Sequence, residues 1–182
     1  GAIGGRKSVT EQQAHAIRLP AGRKASIAFT LRGSAADLLW VTCRPDGHFP
    51  ETDLPYVHKS DTFFHEVGSG THARTVGEVP TPRGFNISLG ETLNIPGGTS
   101  SWPAHATPED VEAFVRGETT WEEMMFFVAP KPGAMFLSGM LTSGITSHGR
   151  YAVQNGVAHV MPLGSHAITA APDAWLWYFW AY

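Results

Sequence analysis

Cysteine is nearly absent. Cys43 stands alone among 182 residues, so no disulfide can form within the chain, and any metal must be held by imidazole and carboxylate groups rather than by thiolates. A single thiol fits a reducing compartment, and the opening "GAIGGRKSV" lacks the apolar core of a secretory signal, so a cytoplasmic location is expected. Long hydrophobic runs are missing too. No apolar stretch reaches the roughly 20 residues a helix needs to span a bilayer, which argues against a membrane partner. Basic excess is lacking as well: 13 Lys and Arg against 16 Asp and Glu give a net charge of −3, and no basic run alternates with aromatics. That removes the electrostatic footprint of a nucleic-acid binder.

What is present is a turn-rich, apolar composition. With 42% hydrophobic and 16% charged residues, 20 Gly and 13 Pro, the chain can bury one well-packed core, or a core plus a partial second lobe. Short apolar runs recur between Gly, Pro and Asn signals: "AHAIRLP", "ASIAFTL", "DLLWVTC", "GFNISLGETLNI", "MMFFVA", "AMFLSGML", "YAVQ", "VAHVM", "HAITA" and "AWLWYFWAY". Closely spaced strands with little helical periodicity predict an all-β sandwich or barrel. One helical segment is expected at "TPEDVEAFVRG", with Thr107 as cap, Pro108 at the first position, and Glu109 and Asp110 against the dipole. Residues 44–73, rich in proline and acid, read as a connector between an N-terminal strand group (residues 1–43) and a C-terminal unit (residues 74–182).

Three residues draw attention as metal donors. His105 lies in "SSWPAHATPEDVE", where an apolar β pattern gives way to a polar loop. His166 heads a strand after the turn "PLGSH", a position from which an imidazole can enter a barrel mouth, although a lone histidine there can equally be a satisfied surface residue. Glu123, in "WEEMMFF", heads an apolar strand whose alternation places Glu123, Met125 and Phe127 on one face and Glu122, Met124 and Phe126 on the other. One of the two acids then faces inward or sits at the rim, and an inward carboxylate needs a cation, a donor or a proton to offset its desolvation. His105, Glu123 and His166 together make a two-histidine, one-carboxylate set suited to Zn(II), Mn(II), Fe(II) or Ni(II). Glu122, His159 and His148 are candidates for a general base, with Glu122 and His159 preferred. His159, in the middle of "VAHVM", is also readable as a core histidine.

The order "SWPAH", "EEMMFF", "NGVAHVMPLGSH" and "APDAWLWYFWAY" resembles the C-terminal barrel of the 5-deoxy-glucuronate isomerase family, bicupins of inositol catabolism related to 4-deoxy-5-threo-uluronate isomerases. "GTHARTVGEVPTPRGFNISLGETLNIPGGTSSWP" is similar to the stretch leading into that family's metal strand, and "RPDGHFPETDLPYV" to its interdomain connector. The resemblance implies a cupin-type double-stranded β-helix, or jelly-roll barrel, preceded by an abbreviated N-terminal cupin strand group, since residues 4–43 match only the last strands of a first barrel. It implies aldose–ketose isomerisation of a uronate-type sugar, a divalent metal on His105, Glu123 and His166, and a homodimer that covers the strands of residues 13–43. It also marks departures. Thr107 stands where the family's second histidine is expected, implying partial metal occupancy. Met124 to Ala129, and Leu137, Ser138 and Met140, replace polar residues that would hold a sugar. Those departures leave two rivals: a cupin-like binding or structural protein without catalysis, and an Fe(II)-dependent dioxygenase-type cupin with a less polar substrate.

Overall fold

The computed structural model describes residues 6–10, 16–17, 41, 56–81, 87–105, 123–140, 146–161 and 165–182. Among these the chain is almost wholly β. A two-residue pair, β1 (Ala16–Ile17) with β2 (Tyr56–Val57), is followed by β3 (Phe63–Val67), β4 (Arg74–Val79), β5 (Leu89–Asn94), β6 (Thr99–His105), β7 (Glu123–Val128), β8 (Gly133–Met140), β9 (Thr146–Val153), β10 (Ala158–Met161), β11 (Ser165–Thr169) and β12 (Leu176–Ala181). The expected all-β cupin-type fold is what forms. Ten strands divide into a six-stranded sheet, in the order β10-β7-β12-β5-β4-β3, and a four-stranded sheet, in the order β6-β11-β8-β9.

Local sequence explains the strands. In β7 the alternation of "EMMFFV" buries Met125 and Phe127 completely while Met124 and Phe126 stay half-buried. In β12, Leu176 and Tyr178 turn inward and Trp180 packs beside them. The Asn155-Gly156 turn joins β9 to β10, with Gly156 at φ 76° and its N–H donating to the Phe127 carbonyl at 2.8 Å. Gly90 allows a close approach: a Cβ there would lie 2.0 Å from the Trp180 ring, which rests on the β5 backbone.

The core lies between the sheets. Met125, Phe127, Leu176 and Tyr178 come from the larger sheet and Met135, Val153 and Ile168 from the smaller. On the outer face of the larger sheet, buried Glu91 accepts from Trp177 Nε1 at 2.9 Å and from Arg6 at 2.8 Å, and the Arg6 guanidinium lies 5.4 Å from the Trp177 ring centre. Arg6 is thus tied to β5 and β12.

Two expectations need comment. Residues 63–67, inside the stretch read as a connector, form β3 and pair with β4 from Phe63↔Glu78 to Val67↔Arg74, extending the six-stranded sheet. The helix expected at residues 107–117 and most of the N-terminal strand group lie outside the described residues.

Candidate metal centre

Three strands converge on the site. β7 begins with Glu123 in the six-stranded sheet, while His166 sits on β11 in the four-stranded sheet. The Glu123 carboxylate crosses the gap between sheets and places Oε2 3.6 Å from His166 Nδ1. His166 is buried and Glu123 largely so, at 3% and 23% side-chain exposure. Burial pushes the Glu123 carboxyl up to about 7 from 4.5, because desolvation disfavours its charged form. A carboxylate in this position is stabilised by any cation that joins it.

The third strand is β6, and it is irregular. Its ladder with β11 pairs Ile168↔Ser100 and then His166↔His105, so two residue steps on β11 face five on β6. A bulge therefore occupies residues 101–104. Pro103, which lacks an N–H for a ladder bond, falls inside it. Ser101 takes up the left-handed conformation, φ 55°, at a cost of about 1–3 kcal/mol for a non-glycine residue. That conformation brings the Ser101 hydroxyl to 2.9 Å from His166 Nε2.

Behind the imidazole lies a buried polar network. Tyr178 donates to Ser100 Oγ at 3.0 Å, and Asn94 Nδ2 donates to Ser100 Oγ at 2.9 Å and to the Ile168 carbonyl at 3.3 Å. Trp180 Nε1 donates to Thr92 Oγ1 at 3.1 Å. Burial pushes the Tyr178 phenol up, partly offset by the neighbouring hydroxyls, Ser100 first.

Glu123 and His166 are therefore brought together. His105 is directly opposite His166 in the ladder, while its side chain lies outside the described residues. Glu122 and Thr107 also lie outside them, and His148 is placed only by its pairing with Ser138. His159 faces Met125 across the β10–β7 ladder, two steps from Met161↔Glu123, with its ring against Phe127 and Tyr151. Among the described residues its buried Nε2 has no hydrogen-bond partner. Ser100, Ser101, Asn94 and Tyr178 were not among the sequence-derived candidates; a proline inside a strand next to two serines was the available signal.

The donor chemistry fits a divalent cation in part. Among the described residues no three His, Cys, Asp or Glu side chains stand close enough to hold one. The Glu123–His166 pair nevertheless supplies two donors of the right type. Their 3.6 Å separation is long for a hydrogen bond and close to the roughly 3.0–3.4 Å between neighbouring ligands that each bind one ion at about 2.1 Å.

The KduI/IolB family profile matches residues 1–182. The chain belongs to the KduI/IolB family. Among solved structures, an IolB-like protein from Salmonella typhimurium LT2 superposes with a TM-score of 0.56 at 20% identity, covering 73% of this chain and 50% of that one. The family member described here therefore spans half the length of that structure. A cupin-2 domain protein from Rhodospirillum rubrum gives a TM-score of 0.42 at 12% identity, over 66% of this chain and 68% of that one. Oxalate decarboxylase from Lactobacillus farciminis gives 0.49 at 18% identity, over 69% and 32%. No curated protein matches the sequence. Among the described residues no helix is long and apolar enough to cross a membrane.

Proposed function

We propose that this KduI/IolB family member binds a divalent metal at His105, Glu123 and His166 and acts, with low turnover, as an intramolecular aldose–ketose isomerase on a uronate-type sugar. The observation that carries this reading is the meeting of Glu123 and His166 across the two sheets, with position 105 in register beside them. Bound metal would polarise adjacent substrate oxygens. The chain's own groups do the rest. Glu123 and His166 supply charge and a lone pair at one point, and the sheets exclude water around them. His159, whose buried Nε2 has no hydrogen-bond partner among the described residues, is the described candidate for moving a proton between neighbouring carbons; Glu122 is the other. Met125 and Phe127, on the face of β7 that carries Glu123, are apolar where a sugar site would carry polar groups, so orientation of the substrate is the weak element.

Element-resolved analysis of protein purified without a histidine tag should find substoichiometric Zn, Mn, Fe or Ni, abolished in Glu123→Gln and His166→Ala. Thr107→His should raise affinity in chelator competition. Metal-loaded protein should isomerise 5-deoxy-glucuronate far below about 10 per second, the middle of the usual enzyme range. Absence of any bound metal would favour the binding or structural role. The apolar setting of Met125 and Phe127 supports the dioxygenase alternative, which oxygen consumption by the Fe(II)-loaded protein would reveal. A homodimer completes the proposal, read by sedimentation at micromolar concentration.

A further inference from the structure

We propose that Tyr151 is a specificity-determining residue, whose hydroxyl holds an oxygen of the substrate at the far side of the space that the Glu123–His166 pair bounds. Cross-strand register places it there. On the four-stranded sheet the inner-face rows run His166↔Leu137↔Gly149 and Ile168↔Met135↔Tyr151. The Tyr151 backbone thus stands one row deeper than His166. Its ring leans back along β9 over Gly149, where a Cβ would lie 2.6 Å from both the Tyr151 hydroxyl and Cε2. The hydroxyl therefore ends on the row of His166, two strands away, a backbone span of roughly 10 Å at about 4.8 Å per strand.

The six-stranded sheet bounds the same space. His159 on β10 pairs with Met125, one row deeper than Glu123, and its ring meets Tyr151 edge-on at 6.1 Å between centres. β9 and β10 are the end strands of their sheets, so this corner of the interior is open, and Tyr151 is exposed there. Leu137, packed against the core, lies between the phenol and His166. The result is an apolar floor with a carboxylate and an imidazole at one end and a phenol at the other. Small-molecule sites are built in this way, from apolar lining and a few converging polar groups.

Gly149 is the seat of the phenol. It lies outside the left-handed region, so the position needs the absence of a side chain rather than backbone freedom. A phenol both donates and accepts, and so matches a hydroxyl in either sense. That the ligand is a sugar acid rests on the function proposed above: its charged end lies at the metal pair, and a hydroxyl farther along its carbon chain meets Tyr151.

Calorimetric titration of D-glucuronate into Mn(II)-loaded and metal-free protein tests the assignment. The wild type should bind. Tyr151→Phe, which keeps the ring contacts, should weaken binding about threefold to tenfold, the effect of one hydrogen bond, and leave Mn(II) affinity unchanged. Gly149→Ala should weaken it by a similar factor, by pushing the ring from its seat. Both changes act through one hydroxyl, so the double variant should bind no more weakly than Tyr151→Phe alone. Losses that multiply in the double variant, an affinity unmoved in Tyr151→Phe, or no binding by the wild type at millimolar glucuronate overturns the proposal. A wild type that binds no Mn(II) yet shows the same dependence of glucuronate affinity on Tyr151 rejects the metal site and supports the role of Tyr151.

Discussion

The interior has two sides built on different physics. Along β7, β8 and β9 it is dry, with Met125, Phe127, Met135 and Val153 almost fully buried. Along β5, β6 and β12 it is hydroxylated and amide-bearing, with Thr92, Asn94, Ser100, Ser101 and Tyr178 as deeply buried. The dry side gains from area removed from water and has no preferred direction. The polar side gains little net stability, because each bond replaces one to water, but each group constrains its neighbour. Glu123 and His166 lie where the two sides meet. Burial raises the energy of the Glu123 charge, and on the polar side the Ser101 hydroxyl meets the His166 ring at Nε2. A site of this kind needs both.

Four changes separate the two sides, in descending order of effect. Phe127→Ala on the dry side should cost about 3–5 kcal/mol, through lost burial and the cavity left behind, measured by denaturant unfolding. Glu123 links the sides through pH. Its folded carboxyl titrates at about 7 against 4.5 when unfolded, so the folded state holds the proton more tightly. Stability of metal-free protein should therefore be greatest at low pH as far as this group is concerned. It should fall by about 3 kcal/mol as pH rises from about 4.5 to about 7, then level off. Glu123→Gln should abolish that slope in a pH series of unfolding curves, and a bound divalent metal should reduce it. Ser100→Ala on the polar side should cost about 1–3 kcal/mol, because Tyr178 and Asn94 both lose an acceptor while little volume is removed. Lys131→Ala is the surface control. Lys131 pairs with exposed Asp173 and holds that carboxyl below its usual range, but solvent screens the pair, so the denaturation midpoint should not move measurably.

Legibility in the sequence follows the same division. The dry side was readable in part because period-two alternation groups Glu123, Met125 and Phe127 on one face, while which face turns inward is settled by the packing of β7 against the second sheet. β3 and β4 were harder. "FFHEV" and "RTVGEV" mix Gly, Thr, His and Glu, and exposed Phe63 breaks the expected alternation. The polar side left almost no trace. Serine, threonine and asparagine favour turns in isolation, and only cross-strand register, joining residues such as Asn94 and Ile168, tells that these are buried. Glu123 and His166 were legible as types in the right order; that they meet across two sheets depends on topology. The bulge that aims Ser101 was signalled by Pro103 alone.

β12 sits at the centre of the six-stranded sheet, bonded to β5 on one side and β7 on the other, yet it follows every other strand of that sheet in the chain. During synthesis β3, β4 and β5 can associate as one piece, and β7 with β10 as another, but within this sheet the pieces share no ladder until "LWYFWA" arrives. Until then two sheet edges stand open. The nascent sheet is thus open at β5 and at the Glu123-bearing strand β7 until β12 fills the gap between them.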